Sequence, residues 1–252
     1  MIIEHPREVD IANMRSLWHE AFGDTDEFID AFFTTAFSMQ RCRIVKDCGK
    51  VIAALYWFDC LLSGSSYAYI YAVSTATAHR GKGVCHMLME DTHRYLSSLG
   101  YIGAILVPGG ESLFRFYEKM GYSAFGGICE ITVSAGAEGI NIKNITGQEY
   151  ADIRRRLLPL GGVVQEGENI DFLATQSELY CADDVLLCVR REGRRLFAQE
   201  LLGDADKIPS ILFALDCDVG EFRIAGSQKP FAMYLPLCED CTRPKYFGLA
   251  FD

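Results

Sequence analysis

No apolar run in the 252 residues approaches the roughly 20 needed to span a bilayer, although half of the residues are hydrophobic. The opening residues Met1-Ile2-Ile3-Glu4-His5-Pro6 carry neither the basic start nor the apolar stretch of a secretory signal. A soluble, cytoplasmic protein is expected. Positive charge is the scarcer sign: 24 Lys and Arg stand against 34 Asp and Glu, a formal net charge of −10. That balance argues against nucleic acid or an anionic membrane as partner, because both reward clusters of Lys and Arg. It suits a cationic substrate such as an amine.

Metal-binding spacing is also missing. His5, His19, His79, His86 and His93 form no chelating pair, since His86 and His93 stand two turns apart on one helix. Of the ten cysteines, only Cys238-Glu-Asp-Cys241 has metal spacing, and no second pair completes four ligands. It reads as a loop with two free thiols. Cys60, Cys129, Cys188 and Cys217 fall in apparent strands and helices and read as small buried apolar residues. No metal is implied.

The length fits two packed units or one large one. Two amphipathic patterns open the chain, Ile11, Met14, Leu17, Trp18, Phe22 and then Ile29, Phe32, Phe33, Ala36, Phe37. Asp24 is placed to cap the second helix, with Glu27 as its capping-box partner. Strand-like runs follow at Arg41 to Lys46, Val51 to Leu61 and Tyr67 to Ser74, an antiparallel meander. A helix with the stripe Val84, Met87, Leu88, Tyr95, Leu96, Leu99 ends at Gly100. A buried strand from Tyr101 to Val107, a short helix from Glu111 to Met120, and a strand pair from Tyr122 to Val133 complete the first half. Strand, helix, strand, helix after a meander predicts a mixed α/β sheet whose middle strands are parallel.

The small, flexible stretch Ser134-Ala135-Gly136-Ala137-Glu138-Gly139 marks a boundary, giving domains over 1–135 and 140–252. The second half repeats the element order. Helices are expected at Gln148 to Leu158 and Ile170 to Tyr180, and a hairpin at Val185 to Arg190 and Leu196 to Leu202. A helix from Lys207 to Leu215 and strands at Glu221 to Ala225, Phe231 to Leu237 and Tyr246 to Phe251 follow.

Chemistry becomes readable in the loop Arg80-Gly81-Lys82-Gly83-Val84-Cys85. Gly81 and Gly83 lack a Cβ, so a ligand can approach the backbone, and the helix starting there points unpaired N–H groups and its positive dipole end into the same space. Such an arrangement binds a pyrophosphate, and Arg80 and Lys82 add charge. The spacing rules out a Walker loop, and His86 stands where a dinucleotide fingerprint wants its third glycine. Taken alone, the loop also fits a solvated surface turn.

Three segments in order, Tyr69-Ile70-Tyr71-Ala72-Val73-Ser74-Thr75, the loop itself, and Leu113-Phe114-Arg115-Phe116-Tyr117-Glu118-Lys119-Met120-Gly121-Tyr122, together resemble the GNAT superfamily of N-acetyltransferases over roughly the first half of the chain. The resemblance implies a GNAT-like central mixed sheet flanked by helices, followed here by a second, smaller GNAT-like domain. It implies acetyl-CoA as co-substrate, its pyrophosphate held by the amides from Arg80 through Gly81, Lys82, Gly83 and Val84 to Cys85. Val73 and Thr75, at the end of a splayed strand, would pair with the pantetheine arm and polarise the thioester carbonyl. Tyr117 falls on the family's general-acid position, against the alternative of a plain buried aromatic.

One departure is Cys85, where the family prefers Gly or Ala. A thiol crowds the phosphate site slightly, and at a helix N-terminus it raises the idea of an acyl-cysteine, weakened because no base adjoins it in sequence. Glu20, Asp24, Asp26, Asp30 and Asp59 flank the acceptor side as candidate bases, each read first as a solvated carboxylate. In the second half the corresponding loop is Gly203-Asp204-Ala205-Asp206, whose carboxylates suit capping and repel a pyrophosphate, so one cofactor site is expected. The leading expectation is acetyl transfer to a primary amine in a ternary complex. A CoA-binding sensor without turnover and an aminoacyl transferase of the peptidoglycan-bridge type stand as alternatives, and a homodimer is one admissible assembly.

Overall fold

The computed structural model describes residues 1–239 and 241–251. β1 (Ile2–Glu4) leads through a 3-10 turn to α1 (Ile11–Phe22) and α2 (Asp26–Thr35), and β2 (Cys42–Asp47), β3 (Lys50–Leu62) and β4 (Ser65–Thr75) form the expected meander. Cys48 and Gly49, at φ 47° and 80°, make the tight turn between β2 and β3. β3 is buried almost without interruption, the signature of a strand covered on both faces. α1 and α2 pack on one face through Trp18 and Phe32, and α3 (Val84–Ser98) packs on the other through Val84, Leu88 and Leu96.

Next come β5 (Gly103–Leu106), parallel to β4, then α4 (Glu111–Glu118) and β6 (Ser123–Ser134). Beyond them lie β7 (Lys143–Asn144), α5 (Gly147–Leu157), β8 (Val164–Gln165), α6 (Glu168–Gln176) and the run β9 (Glu178–Ala182), β10 (Val185–Glu192), β11 (Arg195–Leu202). α7 (Ile208–Ala214), β12 (Val219–Ala225) and β13 (Lys229–Pro236) follow. β11 and β12 are parallel, as β4 and β5 are, so the second half repeats the first's central pairing. No helix among the described residues is long and apolar enough to cross a membrane.

The strands join in one mixed sheet, ordered β1-β2-β3-β4-β5-β13-β6-β12-β11-β10-β9-β7, with β8 paired to β3. β13 from the second half therefore lies between β5 and β6 of the first. Gly103 permits this, because a Cβ there would lie 2.4 Å from Tyr234 and 2.8 Å from Tyr67.

Several sequence expectations change. Tyr122 to Val133 is one long strand rather than a pair. Gly127 within it allows close chain contact, since its Cβ would meet the Gly226 carbonyl at 2.2 Å. The helix expected to reach Tyr180 stops at Gln176, and the residues after it pair as β9 with β10. Tyr246 to Phe251 is an irregular tail packed into the core, with a bridge from Gly162 to Tyr246, instead of a strand. The cap of α2 is Thr25, whose hydroxyl accepts from Phe28 N at 3.3 Å, while Asp24 turns away to accept from Trp18 Nε1 at 2.7 Å. Cys238 and Cys241, expected as free thiols, are joined as a disulfide. Cys60, Cys188 and Cys217 are buried, and Cys129 is half-buried.

Candidate active site

β4 and β5 pair only from Tyr67 to Tyr69, against Gly103 to Ile105, so the rest of β4 up to Thr75 is free of β5. Along the same stretch the register with β3 slips between Ala54 and Tyr56, and Ala72 takes a left-handed φ of 47°. A bulge of this kind re-aims the residues after it, here Val73 to Thr75, into the opening between the strands. Nothing in the residue pattern marked Ala72, because alanine has no preference for that conformation.

The chain then passes through a 3-10 turn at Thr77–His79 to the glycine loop. Gly81 and Gly83 have φ of 71° and 78°, and a Cβ on either would meet nothing within 4 Å. Glycine is needed there for backbone conformation, and the space beyond is open. Gly83 starts α3 with no side-chain cap, whereas α2 and α5 are capped by Thr25 and Thr146. The first intrahelical bond runs from Met87 N to Gly83 O, which leaves the N–H groups ahead of it with no partner inside the helix. They provide both donors and the positive end of the dipole for an anion.

Arg80 donates from Nε to the Thr75 carbonyl at 3.0 Å, which ties the loop to the end of β4. Its terminal nitrogens make no ion pair among the described residues, in contrast to Arg41, Arg43 and Arg154. Lys82 is exposed and likewise makes no ion pair among them. Glu20 of α1 accepts from the Thr77 backbone N–H at 2.5 Å, and this bond holds its carboxyl below the usual range. Nothing in the residues around Glu20 or Thr77 pointed to that brace, which depends on α1 crossing the end of β4.

Val84 is buried, and Cys85 is half-buried against the cluster under α3. Burial pushes the Cys85 thiol up to about 11, so the helix N-terminus does not yield a thiolate here. Tyr117 of α4 packs into the same cluster between Phe116 and Tyr122, with ring centroids at 5.2 and 5.8 Å. Burial first, and proximity to Cys85 second, raise its pKa above that of a free phenol. Its hydroxyl has no hydrogen-bond partner among the described residues, yet it is not one of the sealed polar atoms. A buried ring with an accessible oxygen is the geometry of a neutral proton donor.

The candidate bases are all engaged. Besides Glu20 and Asp24, Asp26 accepts from His19 at 2.9 Å, Asp30 pairs with Arg15 at 2.5 Å, and Asp59 pairs with Arg41 at 3.2 Å. The acidic run at 24–27 is thus a brace for α1 and α2 rather than an unengaged anionic patch. In the second half, Asp204 accepts from Asp206 N at 3.0 Å and caps the turn before α7. Among the described residues, no group of three His, Cys, Asp or Glu could hold a metal ion.

Residues 3–125 match the family model described as an acetyltransferase (GNAT) domain. The first half of this chain is a GNAT acetyltransferase domain. No curated protein matches the sequence. Solved structures carry the likeness through both halves. A GCN5-related N-acetyltransferase from Kribbella flavida superposes with a TM-score of 0.73 at 15% identity, over 92% of this chain and 70% of its own. One from Anabaena variabilis gives 0.73 at 13%, over 94% and 73%. A putative acetyltransferase from Pyrococcus horikoshii gives 0.61 at 13%, over 98% and 91%. At these identities the likeness fixes the fold. The segment before α7, Gly203-Asp204-Ala205-Asp206, carries no counterpart of the Arg80 to Cys85 glycine loop.

Proposed function

We propose that this GNAT protein transfers an acetyl group from acetyl-CoA to a primary amine, both substrates being bound at once. The observation that carries the reading is the uncapped start of α3, which opens onto unfilled space beside the end of β4 that β5 leaves unpaired. The exposed N–H groups of the loop Arg80 to Cys85, with Arg80 and Lys82, suit a pyrophosphate. The free edge from Val73 to Thr75 suits the amides of a pantetheine arm, as an added strand would. Acetyl-CoA supplies the activated acyl group as a thioester.

The neutral amine nitrogen attacks the thioester carbonyl carbon, the carbon–sulfur bond breaks, the departing sulfur takes a proton from the Tyr117 hydroxyl, and the proton that the nitrogen sheds as the amide forms returns through solvent to the phenolate. Tyr117 is neutral at physiological pH, so its hydroxyl carries a proton to donate. The acidic balance of the chain favours a cationic acceptor over an anionic one.

Thiol release from acetyl-CoA is measured against polyamines, aminoglycosides, amino acids and peptides, with CoA binding followed by calorimetry. Arg80→Glu is expected to abolish CoA binding. Tyr117→Phe is expected to retain binding and lower kcat by about 100-fold. Failure of the native protein to bind CoA would overturn the reading, and tight binding without turnover on any acceptor would replace it with that of a binding module.

A further inference from the structure

α3 and α4 meet around a cavity of about 210 Å³ lined by His86, Met89, Glu90, His93, Lys119 and Met120. Apolar packing between the two helices is therefore incomplete, and one polar contact crosses beside the gap. His93 Nε2 on α3 and the Tyr122 hydroxyl beyond α4 lie 2.8 Å apart, the ring centroids at 5.5 Å. Tyr122 is itself locked to Tyr117. Gly121 takes φ of 91° past the end of α4, and Tyr122 N donates back to the Tyr117 carbonyl at 3.2 Å. The Tyr122 ring then stands edge-on to the Tyr117 ring at 5.8 Å and 65°.

α3 is also the helix whose first turn faces the glycine loop. Its position against α4 consequently sets the distance from Tyr117 to anything bound at that loop. We propose that His93 and Tyr122 form a strut between α3 and α4 that places Tyr117 for proton donation, with His93 as a positioning residue. The inference rests on the reading of Tyr117 as proton donor.

Both partners are neutral, as a fixed strut requires. Burial pulls His93 down to about 4, and burial raises Tyr122 well above an ordinary phenol. The pair thus keeps one hydrogen bond across the physiological range, without a charge to attract water into the gap.

The test compares Tyr122→Phe, His93→Leu, the double variant and His93→Gln, each also combined with Tyr117→Phe, by kcat, KM for acetyl-CoA and CoA binding. Misplacing a donor costs rate more than affinity. Tyr122→Phe and His93→Leu are expected to lower kcat on the order of tenfold while KM moves by less than about twofold. The double variant should be no slower than the slower single one, because both remove the same bond. His93→Gln, which can still reach the hydroxyl, should recover part of the rate. In the Tyr117→Phe background the strut substitutions should have no further effect on kcat.

An unchanged kcat in folded Tyr122→Phe protein overturns the strut. So does an equal loss in the Tyr117→Phe background, which would show action through some other group. If Tyr117→Phe itself leaves kcat intact, the donor role fails independently of the strut. Tyr122→Phe keeps the ring and its packing, so the comparison stands even if His93→Leu does not fold.

Discussion

Cys85 shows how far a residue's chemistry depends on what surrounds it. A helix N-terminus by itself lowers a thiol's pKa. At this one, desolvation wins and the thiol is pushed up to about 11, so only about one part in ten thousand is thiolate at pH 7. Covalent transfer through Cys85 is therefore disfavoured. Cys85→Ala is expected to leave kcat within about twofold, and mass spectrometry of the native protein mixed with acetyl-CoA is expected to show no acylated Cys85 peptide. A larger drop, or an acylated peptide, would restore the covalent route. Arg80 is the opposite case. Its charge and position were legible in the loop motif, but its tie to Thr75, and its having no ion-pair partner among the described residues, came from the fold around it.

At the scale of elements, glycine positions separate two kinds of constraint. Gly81 and Gly83 stand in open space and are held by their left-handed φ, whereas Gly127 is held by steric contact. A methyl at Gly127 would lie 2.2 Å from the Gly226 carbonyl oxygen, a backbone atom that cannot rotate away. Gly127→Ala should thus lower stability by about 1–3 kcal/mol, read as a reduced urea midpoint. An unchanged midpoint would mean that the segment after β12 can shift to accommodate the methyl. Helices and hairpins were legible because their signals are local, such as the stripe of α3 and the turn at Cys48-Gly49. The misread elements are those whose partners lie far along the chain. Residues 123–134 look like a hairpin until β12 and β13 are seen to pair along them, and Thr25 displaces Asp24 as cap because Trp18 engages the carboxylate.

Across the whole molecule, one buried network ties several segments together. Arg154 on α5 donates from Nε and Nη2 to Glu200 on β11 at 2.7 and 3.0 Å, and both side chains are 1% exposed. Tyr150 and Tyr246 donate to the same carboxylate at 3.1 and 2.9 Å. Gln165 accepts from Arg154 at 3.5 Å and donates to the Leu249 carbonyl at 3.0 Å, extending the network from β8 to the tail. Burial draws the Arg154 pKa down, and the Glu200 carboxylate more than reverses this. Glu200→Leu strands the guanidinium, and a loss of about 3–5 kcal/mol is expected from urea unfolding. The double variant with Arg154→Met should recover most of that loss, since removing both charges of a buried pair costs far less than removing one. No recovery would show that the tyrosine and glutamine bonds, not the charge pair, hold these segments.

The sequence alone determined the class of fold, and it singled out the glycine loop, present once, and Tyr117 as the residues to test. These rest on local spacing, charge and turn geometry, which neighbouring residues set among themselves. The tertiary structure decided which strands fill the sheet, that β13 completes the first half, that the acidic run braces two helices, and that His93 stands against Tyr122. Each of these brings together residues far apart in the chain, and their pairing depends on which faces are buried against each other once the sheet has closed.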